Sequence, residues 1–211
     1  MEKNNKIAVI GGTGKAGKFL VKELVNQGFS IKILLRNSDK LKISSPLIEK
    51  VIGDVADFDT VYSLIQGCNA VISTLGQTQG EIPIHSLSAL NIVKAMNSLD
   101  ISRYIVITGL TIDTPFDKKG LRTTLLSKIM KLSYPAIIAD KQKEYSLISE
   151  STLNWTIVRL PLIEETDEKR TIKSSLSDCH GKKIGTTDLA CFLIDQLSDE
   201  TFIKKSPFIA N

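Results

Sequence analysis

Residues 9–24 run VIGGTGKAGKFLVKEL, and the glycines of this stretch could hold phosphate in two ways. Counted from Gly12, the run through Gly17 and Lys18 fits G-x-x-x-x-G-K, the loop whose amides and lysine cradle a nucleoside triphosphate. Counted from Gly11, the glycines at 11, 14 and 17 fit the turn on which a dinucleotide pyrophosphate rests. A triphosphate loop needs a hydroxyl after its lysine, to ligate magnesium. That position is Phe19, which has no oxygen and belongs to the apolar stripe of the next segment. A later apolar strand should also end in an acid, yet NAVIST and YIVIT end in threonine and WTIVRL in Arg159-Leu160. The residue types favour the dinucleotide turn, although glycines also serve tight strand–helix turns for steric reasons alone.

A dinucleotide site reads the adenine ribose at the end of its second strand. An acid there binds the free hydroxyls, and a cation accommodates a 2′-phosphate. Arg36 follows ILL directly, Asn37 and Ser38 offer donors, and the nearest acid, Asp39, comes three residues late. Lys15 can add a second positive charge within the glycine turn. A guanidinium fork matches phosphate geometry, so NADP(H) is expected ahead of NAD(H). The alternative is a solvated arginine at a strand end.

These residues need a frame that alternates strand and helix. KIAVI (6–10), SIKILL (30–35), LIEKVIGD (47–54), NAVIST (69–74), YIVIT (104–108), WTIVRL (155–160) and SPFIA (206–210) have the short apolar character of strands. Between the first two, Ala16, Phe19, Leu20 and Leu24 fall at helical spacing and Gly28 suits a C-cap. Further helices are expected over 57–67 with Asp57 as N-cap, over 84–99, near 119–133 and 137–150 with a break at Tyr134-Pro135, and over 187–197. The pattern predicts an α/β protein, a Rossmann-like doubly wound parallel sheet in one domain over 1–211, with a small C-terminal substrate-side region. Ligands of such sheets sit beyond the carboxyl ends of the strands. The long segments emerging there, 75–83, 109–118 and 161–183, are expected to form the substrate side.

Composition sets outer bounds. With 42% hydrophobic and 24% charged residues the chain is of ordinary globular type. The formal charge of +4 suits an anionic ligand but is too dispersed to imply nucleic acid. No apolar run approaches the roughly 20 residues that span a bilayer, and the N-terminus has no signal-peptide pattern. Cysteines 68, 179 and 191 lack metal-ligand spacing, so reduced thiols, a cytoplasmic location and no metal site are expected.

Taken together, GGTGKAG, LLRN after the second strand, GDV (53–55), AVISTLG (70–76), RYIVIT (103–108) and WTIVRLP (155–161) resemble the atypical short-chain dehydrogenases. The closest subgroup is that of the NAD(P)H-binding proteins akin to biliverdin-IXβ/flavin reductase and the NmrA-like regulators. The resemblance spans nearly the whole chain and is specific for fold and cofactor, not for substrate. It implies that Gly11, Thr13, Gly14, Lys15 and Ala16 hold the pyrophosphate, with Gly17 letting the helix pack closely. It places Arg36 on the 2′-phosphate, and Asp54 and Val55 beside the adenine, the alternative for Asp54 being a turn or cap residue. It puts Thr74, Leu75 and Gly76 along the nicotinamide-side ribose, and Pro161 and Leu162 near the carboxamide.

One departure bears on chemistry. Short-chain dehydrogenases carry Tyr-x-x-x-Lys and a serine. Aligned on WTIVR, the family lysine falls on Lys141 and the tyrosine position on Ile137, while the serine position falls on Thr108 or Thr111. The usual proton donor is therefore absent. Lys141 is either a ribose contact or a surface lysine, and Thr108 either orients a substrate or simply ends a strand. His85 is expected to cap a helix or lie on the surface, and His180 to sit in a loop. An NADPH-dependent reductase of a flavin, quinone or similar conjugated acceptor needs no built-in tyrosine, because its product can take a proton from water. The alternatives are a non-catalytic NADP(H)-binding sensor of NmrA-like type and, less well supported, a sugar epimerase. A monomer or small homo-oligomer with a small-molecule partner is expected.

Overall fold

The computed structural model describes residues 6–78 and 80–211. Its first unit is the strand β1 (Lys6–Ile10), the glycine turn and the helix α1 (Gly17–Asn26). There follow β2 (Ser30–Leu35), a 3-10 turn (Ser38–Lys40), β3 (Ile48–Ile52), α2 (Phe58–Ile65), β4 (Ala70–Ser73), α3 (His85–Ser98) and β5 (Arg103–Gly109). The second half holds α4 (Leu121–Ser133), α5 (Pro135–Ser149), β6 (Asn154–Leu160), β7 (Leu162–Glu164), β8 (Lys173–Ser175), β9 (Lys183–Gly185), α6 (Thr186–Asp195) and β10 (Phe208–Ala210).

Eight strands form one sheet in the order β3-β2-β1-β4-β5-β6-β10-β8, and the small pair β7-β9 stands beside it. Pairing is parallel from β3 through β10. The strand order reverses between β1 and β4, so the crevice expected of a doubly wound sheet opens there. Alternation along the strands explains the two-sided core. Ile7 and Val9 face a cluster with Leu20, Leu24, Leu189 and Leu193 of α1 and α6. Ala8 and Ile10 face the opposite cluster, with Val61, Leu64, Ile92, Met96 and Ile148 of α2, α3 and α5.

The sequence expectation differs from this frame in three places. The sheet is not wholly parallel, because β8 pairs antiparallel with β10 at the edge. The strands β7, β8 and β9 have three residues each, too short for periodicity to reveal, and they exist through long-range pairing. The second helix of the 119–150 region starts at Pro135 rather than 137, with proline at the N-terminal position where its missing N–H costs nothing.

Buried Arg159 fastens the C-terminal region. Its Nη1 donates to Asp117, its Nε to the Ser206 carbonyl at 2.9 Å and its Nη2 to the Leu176 carbonyl at 3.0 Å. The guanidinium also lies 3.5 Å from the centroid of the Phe208 ring. One fully paired cation thereby ties β6, β10 and the loops at 109–118 and 176–178 together.

Candidate functional site

The glycine turn is shaped by two contacts. Gly11 has φ +76°, and a Cβ there would lie 2.6 Å from the Thr74 carbonyl carbon at the end of β4. A Cβ on Gly17 would lie 2.1 Å from the Gly11 carbonyl oxygen, so only glycine lets α1 begin so close to β1. Gly14 differs from both. A Cβ there would meet only the Gly11 oxygen, at 3.3 Å, so this glycine is bare toward the crevice rather than wedged. The N-terminus of α1 has Ala16 at its cap position and no capping side chain. Its Lys18 amide donates to the Gly14 carbonyl at 3.0 Å, and the helix dipole favours an anion beside the remaining first-turn amides.

A groove of about 390 Å³ runs from this turn across the crevice. Gly11, Thr13, Gly14 and Lys15 line one end, and Arg36, Asn37 and Lys40 line another. Asp54, Val55, Leu75 and Gly76 complete its walls with Thr78 and Glu81. Ala16 and Gly17 are buried behind the turn. Thr74 also lies behind the wall, its hydroxyl donating to the Ile10 carbonyl at 3.2 Å. The Asp54 carboxylate accepts the Ala56 N–H at 2.8 Å, which sharpens the turn after β3. Asn91 of α3 donates to the Val55 and Ala56 carbonyls, both at 3.0 Å, and so holds the Asp54–Val55 edge from below. Neither Asn91 nor Lys40 was foreseeable from the sequence, because neither sits in the turn motifs.

Arg36 is half-exposed at the mouth of the groove. Its Nη1 lies 3.0 Å from both carboxylate oxygens of Glu81, and its Nη2 lies 3.3 Å from the Thr78 hydroxyl. The Lys15 ammonium donates to the Ile163 carbonyl at 2.6 Å. With the pairs Lys18–Glu165 and Lys22–Asp167 it forms three links from the glycine turn and α1 to the segment after β6. That segment therefore lies along the helix that starts at the glycine turn.

A second cavity, about 210 Å³, continues from Leu75 and Gly76 to the ends of β5 and β6. Thr108, Ile137, Lys141, Pro161 and Ile163 line it with His85. The Thr108 hydroxyl is buried and has no hydrogen-bond partner among the described residues. Thr111, also buried, does not line this cavity. Lys141 donates to Glu144 one helical turn on, at 2.9 Å. Burial pushes the Glu144 carboxyl up, against the pull of the Lys141 ammonium.

Two expectations need correction here. His85 neither caps α3 nor lies on the surface. The cap is Asp140 of α5, whose carboxylate accepts the amides of His85 at 2.8 Å and Ser86 at 3.2 Å. The imidazole is fully buried, both ring nitrogens lack partners among the described residues, and burial beside Lys141 pushes its pKa down to about 3. Leu162 turns away from the cavity and is exposed, since side chains alternate from Pro161 into β7 and Pro161 and Ile163 face inward instead. His180 is exposed and lines neither cavity.

The donor set, the open helix terminus, the bare Gly14 and the orphaned Thr108 oxygen fit an elongated ligand with a phosphate centre. Residues 11–200 match the family described as NAD(P)H-binding. The chain belongs to this NAD(P)H-binding family. One relative is oxidoreductase ptaF of Pestalotiopsis fici, 24% identical over 92% of this chain and 80% of its own length. An uncharacterized chloroplastic protein of Arabidopsis thaliana is 26% identical over 74% of this chain, which spans 59% of that longer protein. Among solved structures, the anaerobilin reductase ChuY of Escherichia coli O157:H7 superposes with a TM-score of 0.80 at 17% identity, over 97% and 96% of the two chains. A short-chain dehydrogenase/reductase of Veillonella parvula in complex with NADP superposes with a TM-score of 0.79 at 17% identity, over 98% and 94%. At such identities these structures establish a shared fold.

Proposed function

We propose that this protein is an NADPH-dependent reductase that passes hydride to a flavin, quinone or similar conjugated acceptor. The observation that carries this reading is the pairing of two adjoining cavities. One has a phosphate-ready turn and a guanidinium at its mouth, and the other is mainly apolar with few polar groups. The solved NADP complex of the Veillonella protein and the reductase named for the Escherichia coli protein support it at the level of a shared fold.

Bound NADPH supplies the hydride, and the chain supplies position and shielding. Gly14, Thr13 and the α1 amides hold the pyrophosphate, helped by Lys15 once it leaves the Ile163 carbonyl. Arg36 takes the 2′-phosphate in place of the Glu81 carboxylate. Asp54 and Val55 border the adenine. Leu75, Gly76 and Lys141 face the second ribose, and Pro161 faces the carboxamide. The Thr108 hydroxyl and the neutral His85 ring are the polar atoms left to orient an acceptor. Neither is a strong acid, and Ile137 occupies the tyrosine position, so the reduced acceptor takes its proton from water. This selects acceptors that store the electron pair in a conjugated ring over simple ketones, whose alkoxide needs a donor.

The same lack of an acid supports the second reading, a non-catalytic NADP(H) sensor. Steady-state oxidation of NADPH with flavin and quinone acceptors separates the two. Turnover that exceeds the uncatalysed rate and is lost in Gly14→Val supports the reductase. Tight NADPH binding without turnover on any such acceptor contradicts it and leaves the sensor.

A further inference from the structure

The helix α4 is turned inside out. Its inward face is polar, with Thr123 and Ser127 buried and Ser127 donating to the Leu110 carbonyl at 3.3 Å. Its outward face carries Leu121, Leu125, Ile129 and Leu132, spaced i, i+4, i+8 and i+11 along one stripe. These four side chains are 94%, 60%, 50% and 84% exposed. Leu126 and Met130 widen the stripe on one side. A 13-residue helix spans about 20 Å, so this is a contiguous apolar surface of a kind that marks an interaction site.

Charge and composition select the occupant. Residues 116–136 contain Lys118, Lys119, Arg122, Lys128 and Lys131 against the single acid Asp117, which is held by Arg159 and Lys119. Lys119 and Lys131 pair with Asp113, which leaves Lys118, Arg122 and Lys128 exposed and without an ion-pair partner among the described residues. A second copy docking this face on itself would set these cations against each other. Protein hot spots favour tryptophan, tyrosine and arginine, and leucine is under-represented in them, whereas this stripe is leucine, isoleucine and methionine. An aliphatic stripe flanked by cations is the composition of a helix that lies in a lipid interface. No helix of the described residues is long and apolar enough to cross a membrane, and this one does not need to.

We propose that α4 docks this protein peripherally on an anionic lipid surface, with Leu121, Leu125, Ile129 and Leu132 in the acyl boundary and Lys118, Arg122 and Lys128 at the headgroups. The proposal does not depend on the cofactor or the acceptor. The test is co-sedimentation of the full chain with vesicles of phosphatidylcholine alone and of phosphatidylcholine with phosphatidylglycerol, alongside sedimentation velocity without lipid. Expected is a monomer that binds the anionic vesicles, less so at high salt. Lys128→Gln should lower partitioning about fivefold, from roughly 1 kcal/mol per cation near such a surface. Leu125→Glu combined with Ile129→Glu should abolish it while circular dichroism and NADPH binding stay as in the parent chain. Absence of binding to the anionic vesicles overturns the proposal. So does a dimer that the double substitution dissolves, which would assign the face to a second copy, and so does equal binding to both vesicle types.

Discussion

Arg36 and Glu81 form the most informative pair at the scale of single residues. The guanidinium meets both carboxylate oxygens at 3.0 Å, with the two side chains 52% and 44% exposed. A 2′-phosphate reaching Arg36 must displace Glu81. Exposed pairs are worth about 0–1 kcal/mol, so Glu81→Gln is expected to tighten NADPH up to about fivefold and leave NADH nearly unchanged, as read by titration calorimetry. Unchanged NADPH affinity would mean that Glu81 does not compete for the site. The position of Arg36 was legible because a strand end and a residue type are local features. Glu81 was not, since it lies 45 residues away on a segment without periodicity. His85 misled for a similar reason: a helix starts there, but its capping carboxylate comes from Asp140, 55 positions along the chain.

At the scale of elements, the glycine turn makes the sharpest demand. Gly17→Ala puts a methyl group 2.1 Å from a backbone oxygen, where no rotamer can relieve it. Moving α1 away from β1 is expected to cost about 1–3 kcal/mol, the usual range for overpacking, measured by urea denaturation. Wild-type stability in this variant would show that the close approach is not needed. Strands β1 and β4 and helix α2 were legible because the two strands are apolar and buried on both faces and the α2 cap is local, with Asp57 accepting the Thr60 amide at 3.1 Å. The three-residue strands and the antiparallel edge were not, because tertiary pairing creates them. α4 shows a different limit. Its helical character was readable, but the side it turns inward is set by Thr123, Ser127 and Lys131 finding polar partners in the 110–113 loop and at Asp178.

For the whole molecule, buried His85 links stability to pH. Its ring is held neutral, with a pKa near 3 in the folded chain against 6.5 for the free side chain. As pH falls below 6.5 the unfolded chain gains a proton that the folded chain refuses, so His85 removes up to about 1.4 kcal/mol of stability per pH unit down to about 3. Glu144, pushed up by burial, acts in the opposite sense above pH 4.5 because its folded form takes the proton first. The difference in unfolding free energy between wild type and His85→Asn isolates the imidazole. Between pH 6.5 and 5 this difference should shift toward the variant, and a pH-independent difference would place the ring in water. The parallel order was expected from strict alternation, and the crevice beside β1 follows from it, so the site could be placed before its side chains could be arranged. The proposed role of Arg36 is selection of the phosphorylated dinucleotide, which parallel calorimetric titrations of wild type and Arg36→Ala with NADPH and NADH would read. Expected are tighter NADPH binding by wild type and a loss of about 1–3 kcal/mol in the variant confined to NADPH. Equal losses for the two dinucleotides, or wild-type binding that does not distinguish them, would contradict it.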